Sequence, residues 1–407
     1  MKKVLIISYA FPPVNDIASR RYGEMVPFFK RLGWEPYVLT TKSSGDLEHK
    51  ISEHQVYRIG MHPGYKVDRT NNAGLYSWVS MWRRKLGFNF RVFDSNLFKW
   101  SSRVLKSPDF INQVSNEGID LILASYGPSS ALRVGDKLGR MLGVPVVYDF
   151  RDLAALHESN SFKQNLVSKI VDRCFERYYL RSAAGFVTVS NGLAERICLK
   201  YKKDVHVVYN GINTYRPTRG GAARLPSNKS YLYYAGRFYE HRLKSIYLLI
   251  DALSRLDYDL VIRSLGPVEL DEKIINYAAS VGVDHKLRLL GKADADVVDF
   301  ESRNAVVNLV FEDLDKSFKS LRGVLTGKFL QLLAYEAPVL AIARNDSEIG
   351  EILEDTGKGA LASSRDEVYN FIMSLDDYSI VQDCSKINKY TKEEQAKSLI
   401  SYLETKI

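Results

Sequence analysis

The chain has 407 residues, 45% of them hydrophobic and 26% charged, with a formal net charge of +9. That composition belongs to a soluble globular protein and leaves room for two domains of roughly 150 to 200 residues, each with a real core. The longest apolar runs, such as Val4–Ser8 and Gly143–Val147, have strand length, far below the ~20 residues of a membrane-spanning helix. Cys174, Cys198 and Cys384 are odd in number and outside metal-ligand spacing, so reduced thiols in a cytoplasm are expected, and no zinc.

The first element, Val4–Ser8, follows Met1-Lys2-Lys3 and precedes Pro12-Pro13; it is too short for a signal peptide and reads as a strand. The turn after it, Tyr9 to Arg21, lacks G-x-G-x-x-G, which disfavours a nicotinamide or flavin dinucleotide. Asp16 or Ser19 is placed to cap the next helix, and Arg20 and Arg21 stand where they could serve a ligand or simply the surface. Further strands read Pro36–Thr40, Asp120–Ala124, Pro145–Asp149, Gly185–Ser190 and His206–Tyr209, alternating with helical patterns as in a parallel sheet covered by helices.

Charge is uneven. Residues 1–200 hold 29 Lys and Arg against 18 Asp and Glu, leaving 28 against 30 in the remainder, so the first half should face something anionic. Much of the excess lies in residues 66–106, where Arg83, Arg84, Lys85, Arg91, Lys99 and Arg103 interleave with tryptophans and phenylalanines. That mixture suits an anionic membrane surface; a solvated face over a satellite core is the alternative, and no nucleic-acid-binding motif accompanies it.

Residues 213–230 are poor in apolar side chains and carry two prolines and adjacent glycines, as an interdomain linker would. Beyond it the grammar repeats, with strands at Tyr231–Ala235, Leu260–Ser264, Leu287–Leu290, Val306–Val310, Pro338–Ala343 and Gly359–Ala362. Two such domains imply a cleft, with ligands beyond the C-terminal strand edges. After the first of these strands come Gly236, Arg237, Arg242 and Lys244, three cations at one strand end. Asp294-Ala295-Asp296 imitates a metal-binding D-x-D, but its place before a helical run suits a cap instead. Gly323 and Gly327 frame a flexible turn that ends in Lys328 and opens a helix whose buried face is Phe329, Leu330 and Leu333. It has three residues between its glycines and Phe329 after the lysine, so it is not an ATP-type P-loop; a phosphate site and an ordinary loop-to-helix junction both remain open.

Taken in order, Tyr9-Ala10-Phe11-Pro12-Pro13, Tyr148-Asp149-Phe150-Arg151-Asp152, Val187 to Gly192, Val208 to Ile212, Ala235-Gly236-Arg237, Lys244 with Leu248 to Leu253, Gly323 to Ala334, Pro338 to Ala341 and Asp346 to Ile349 resemble the GT-B glycosyltransferases of family 4. These include the transferases of bacterial capsule, exopolysaccharide and lipopolysaccharide. The resemblance covers nearly the whole chain. It implies an α/β protein of two Rossmann-like parallel-sheet domains facing a cleft, with an acceptor domain over 1–212, the linker 213–230, a donor domain over 231–385, and a final helix in 386–407 packing back on the first domain.

It further implies a nucleotide-sugar donor, expected to be a UDP-sugar, used without metal or cofactor. Arg237 and Lys244 would face the donor diphosphate, with Asp152 or Arg151 orienting sugar or acceptor. Gly236, Gly266, Gly291, Lys292, Thr326, Gly327, Lys328 and Gln331 would line the donor, and Asp16 and Arg20 the acceptor side. Family members commonly carry two glutamates eight positions apart; Gly323 and Gln331 stand there instead, and an amide cannot act as a base. The expected activity is sugar transfer to a lipid-linked or glycan acceptor in surface-polysaccharide synthesis, with retention, at the inner face of a membrane and without nucleic acid. A nucleotide-sugar epimerase and a non-catalytic nucleotide-sugar-binding or scaffold protein are the alternatives.

Overall fold

The computed structural model describes residues 1–61, 90, 95–152, 165–212, 230–316, 322–323, 325–375 and 384–407. Most of the aromatic and basic segment 66–106, and all of the expected linker except Ser230, fall outside these residues. The chain divides into two compact units, Met1–Asn210 with Lys392–Ile407, and Gly211–Thr391.

The first unit holds strands β1 (Lys2–Ile7), β2 (Trp34–Lys42), β3 (Val56–Met61), β4 (Leu121–Tyr126), β5 (Val146–Phe150), β6 (Gly185–Thr188) and β7 (Val205–Val207). Its helices are α1 (Ile17–Gly23), α2 (Val26–Phe29), α3 (Ser95–Leu105), α4 (Pro108–Asn116), α5 (Ser130–Leu142), α6 (Leu166–Leu180) and α7 (Asn191–Tyr201). All strands pair in parallel in the order β3-β2-β1-β4-β5-β6-β7. β1 is apolar from Val4 onward because both faces of that stretch are covered: Val4 and Ile6 pack with Phe29 and Trp34 on one side, Leu5 and Ile7 with Leu39 and Val104 on the other. β3 has no counterpart in the sequence reading. It is an edge strand, and Arg58 and Gly60 break the apolar pattern by which strands are recognised.

The second unit holds β8 (Tyr231–Gly236), β9 (Asp259–Ser264), β10 (Leu287–Leu290), β11 (Val307–Phe311), β12 (Val339–Ile342) and β13 (Gly359–Ala362), again parallel, in the order β10-β9-β8-β11-β12-β13. Between them run α8 (Leu243–Leu253), α9 (Val268–Val281), α10 (Ala295–Asn304), α11 (Gly327–Leu332), α12 (Glu348–Thr356) and α13 (Arg365–Met373), and α14 (Cys384–Asn388) follows. In both sheets the strand order reverses between the first and fourth strands, the switch point at which doubly wound sheets bind ligands.

The last helix, α15 (Lys392–Glu404), belongs to the first unit. Ala396, Leu399 and Leu403 enter the same core as Val4 and Ile6, the Tyr402 hydroxyl accepts from the Phe186 amide at 3.1 Å, and the Gln395 Oε1 accepts from the Tyr209 amide at 2.7 Å. Among the described residues, no helix is long and apolar enough to cross a membrane.

Candidate functional site

At the switch point of the second unit, the turns after β8 and β9 lie side by side. The Leu265 amide donates to the Gly236 carbonyl at 3.0 Å, and the Gly266 amide to the Ser264 Oγ at 3.2 Å, whose hydroxyl in turn donates to Asp271 at 2.6 Å. Gly236 has no room for a side chain: an added Cβ would sit 2.4 Å from the Tyr234 hydroxyl, and that ring is buried against Phe238 and Phe311. Gly291 is the opposite case. Nothing stands within 4 Å of where its Cβ would be, and Gly291 and Lys292 are both exposed at the end of β10.

α11 begins two residues before the expected start at Phe329: Thr326 is its N-cap, and the Thr326 Oγ accepts from the Phe329 amide at 3.3 Å. The hydroxyl proposed for phosphate is thus already engaged through a lone pair, with its proton left to donate. Gly327 is the first helical residue. One residue later, Lys328 donates from its ammonium to the Ala235 carbonyl at 2.9 Å, across 93 positions of chain. Lys328 is an exposed residue, yet desolvation of its ammonium holds its pKa below the ordinary lysine value. The two segments singled out separately in the sequence therefore meet at the C-terminal end of β8.

Arg237 and Lys244 are exposed. Arg237 lies 5.6 Å from the Tyr239 ring, and the guanidinium of Arg242 lies 5.1 Å from the same ring. Arg242 pairs with Glu312 at 2.7 Å. Sequence reasoning passed over this pair, because Glu312 is merely the first residue beyond β11 and 70 positions separate the partners only on paper: the 3-2-1-4 strand order puts the ends of β8 and β11 together. Burial pushes the Glu312 carboxyl up to about 7, Arg242 opposes the shift, and Asp313 adds to it. The Glu312 Oε1 and the Arg242 Nε are buried without a hydrogen-bond partner among the described residues.

The linked stability has a definite sign. Between the ordinary glutamate value of 4.5 and about 7, the native state holds the proton more tightly than the unfolded chain. This contribution is complete below 4.5 and lost as the pH rises through 7. The stability of the wild type relative to Glu312→Gln should therefore fall between pH 4.5 and 8, by up to ~3 kcal/mol. Parallel melts of both proteins across that range would show it, and two parallel curves would contradict it.

Gln331 is occupied locally. It hydrogen-bonds the Tyr335 hydroxyl, which also reaches Asp299 on α10, and Arg303 of the same helix lies over the Tyr335 ring at 5.0 Å. Asp294 stands at the N-cap position of α10 without a side-chain capping bond, and Asp296 lies in its first turn. Among the described residues, no group of three or more His, Cys, Asp or Glu is placed to hold a metal ion.

In the first unit, the Asp16 Oδ1 accepts from the Ser19 amide at 2.7 Å and caps α1. Arg20 is exposed, tied to Asn15 at 2.9 Å and to Glu24 at 3.3 Å. Its neighbour Arg21 does not reach a ligand space as the sequence allowed. It is buried and grips Asp149 with two hydrogen bonds of 2.7 and 2.8 Å, while the Tyr22 hydroxyl donates to the same carboxylate at 2.6 Å. Arg151 donates to the Gly127 carbonyl, and burial holds its pKa below the ordinary arginine value, against the pull of Asp149. Gly127 has φ +136°, and a Cβ there would lie 2.8 Å from the Arg151 guanidinium, so a glycine is required. Asp152 is exposed at the end of its described segment.

Two parallel, doubly wound sheets of order 3-2-1-4-5-6, one with a seventh strand, define a GT-B fold. Sucrose-phosphate synthase from Thermosynechococcus elongatus aligns over 100% of this chain and 99% of its own at 16% identity, with a TM-score of 0.64. The Anabaena protein HepE, solved with UDP and glucose, aligns over 100% of both chains at 14% identity and 0.60, and the lipopolysaccharide outer core galactosyltransferase WaaB in its apo form over 100% of both at 13% and 0.59. The model of Glycosyltransferase Family 4 matches residues 18–216. No curated protein matches the sequence. Residues 18–216 thus form a family 4 glycosyltransferase domain.

Proposed function

We propose that the protein transfers a sugar from a UDP-sugar to a lipid-linked or glycan acceptor in surface-polysaccharide synthesis, without a metal ion. The observation that carries this reading is the ammonium of Lys328 held on the Ala235 carbonyl at the C-terminal end of β8. Gly236 completes that strand, the exposed Arg237 follows it, and the exposed Lys244 stands in the first turn of α8. Cations at a switch point suit a diphosphate, whose charge grows as the bond to the sugar breaks. That solved GT-B structures hold UDP, and in one case UDP with glucose, supports the choice of donor.

In this reading Arg237, Lys244 and Lys328 face the diphosphate, with the Thr326 hydroxyl and the Gly327 amide beside it. Gly266, Gly291, Lys292 and Gln331 border the nucleotide and sugar, and Asp16, Arg20, Arg151 and Asp152 serve the acceptor side. The bond from the sugar C1 to the diphosphate oxygen breaks, and a bond from C1 to the acceptor oxygen forms. The Gln331 amide cannot take the acceptor proton, so the departing diphosphate takes it, an arrangement compatible with the expected retention.

Calorimetric titration with UDP, followed by an assay of UDP release from a panel of UDP-sugars with a bacterial membrane extract as acceptor source, tests the reading. Saturable UDP binding and extract-dependent release are expected. No binding of UDP by the folded protein would remove the donor assignment, and binding without release from any sugar or extract would remove the transfer.

A further inference from the structure

Among the described residues, helix α6 carries an exposed face of apolar and basic side chains. Leu166, Val167 and Ile170 are 71%, 54% and 49% exposed, and Tyr178 is 44% exposed two turns further on. Lys169, Arg173 and Arg177, followed by Arg181 at the C-cap, are all exposed and recur every four residues, so they form one row beside the apolar one. The helix has two acids, Asp172 and Glu176, and both are 1% exposed. Glu176 is spent inside the unit on Tyr126, Lys200 and Tyr201, and no exposed acid of α6 accompanies the basic row. Arg181 lies 4.2 Å from the Tyr178 ring, joining the two rows at the end of the helix.

We infer that this face of α6 docks on an anionic lipid surface, the apolar row entering the boundary between headgroups and acyl chains while the basic row meets lipid phosphates. Such a surface satisfies both rows at once, since its apolar layer and its negative charge lie a few ångströms apart along one normal. A nucleic acid would account for the cations but leave Leu166, Val167 and Ile170 in water. A second copy would set like rows of cations against each other, a repulsive arrangement. The inference stands independently of sugar transfer and of residues 66–89, and it places a lipid contact on the unit that the transferase reading assigns to the acceptor.

The test is cosedimentation of the full-length protein with phosphatidylcholine vesicles, either pure or containing about one-third phosphatidylglycerol. Binding to the anionic vesicles alone, weakening as salt is added, is expected. Joint substitution of Lys169→Glu, Arg173→Glu and Arg177→Glu should lower the partition coefficient at least ~10-fold. Leu166→Ser with Ile170→Ser should weaken the binding that persists at high salt, and circular dichroism would establish that both variants remain folded. Absence of binding by the wild type, or equal binding by both folded variants, would overturn the assignment. So would a dimer in sedimentation that these substitutions dissociate, since the face would then belong to a second copy.

Discussion

Replacing Lys328 with alanine should lower kcat/KM for the UDP-sugar at least ~100-fold, a loss of ~2.7 kcal/mol of transition-state stabilisation. Lys328 is an exposed residue whose one described contact is with a strand-end carbonyl, so its removal costs the fold little: Ala235 can turn to water instead. The site, in contrast, loses its positioned charge at the point where the diphosphate gains negative charge. Desolvation already lowers the pKa of the Lys328 ammonium, so an arriving anion finds it short of compensation and gains more from it than from a solvated surface lysine. Lys328→Arg should recover only part of the activity, because a planar guanidinium cannot take the place of a compact ammonium on the Ala235 carbonyl. Steady-state kinetics and UDP titrations on the two variants provide the check. An alanine variant within threefold of the wild type in both would remove Lys328 from the donor site.

The largest effect on stability should come from Asp149→Ala, at ~3–5 kcal/mol. Asp149 and Arg21 have no exposed side-chain surface, and the guanidinium also donates to the Val208 carbonyl at 3.1 Å and to Asn210 at 3.0 Å. Burial disfavours the charge of Arg21, but Asp149 and Tyr22 more than offset it, and the arginine pKa ends above its ordinary value. Burial, reinforced by Asp149, likewise holds the Tyr22 hydroxyl far above its usual range. Removing the carboxylate leaves a buried cation unpaired and the Tyr22 hydroxyl without its acceptor. Arg20→Ala, one residue away, should cost at most ~1 kcal/mol because its partners are at the surface. Urea unfolding followed by circular dichroism measures both, and equal losses from the two substitutions would contradict the burial argument.

Neighbouring arginines that the sequence cannot rank show where local reading ends. Arg20 and Arg21 have the same charge and the same place in the first βα turn. Which of them is buried depends on the phase of α1 against the sheet, and on Asp149 waiting 128 positions away. The same limit hid the Arg242–Glu312 pair and left Gln331 looking free for a ligand, although Tyr335 and the neighbouring α10 occupy it. By contrast, Gly236, Gly266 and Thr326 each answer a local demand: close approach, a tight turn after a strand, or an orphan amide at a helix start.

Taken alone, the sequence determined the strands that are covered on both faces, since such a strand must be apolar where it is buried, a short-range requirement that the edge strand β3 escapes. It also determined that cations follow β8 and open α11. Tertiary structure alone decided which of those charges meet. Both sheets place their fourth strand beside their first, so the ends of β8 and β11 become neighbours, Lys328 reaches Ala235, and Arg242 finds Glu312. Ion pairing falls off within a few ångströms, whereas these partners lie about 70 and 93 positions apart in the chain, a distance only the completed sheet removes.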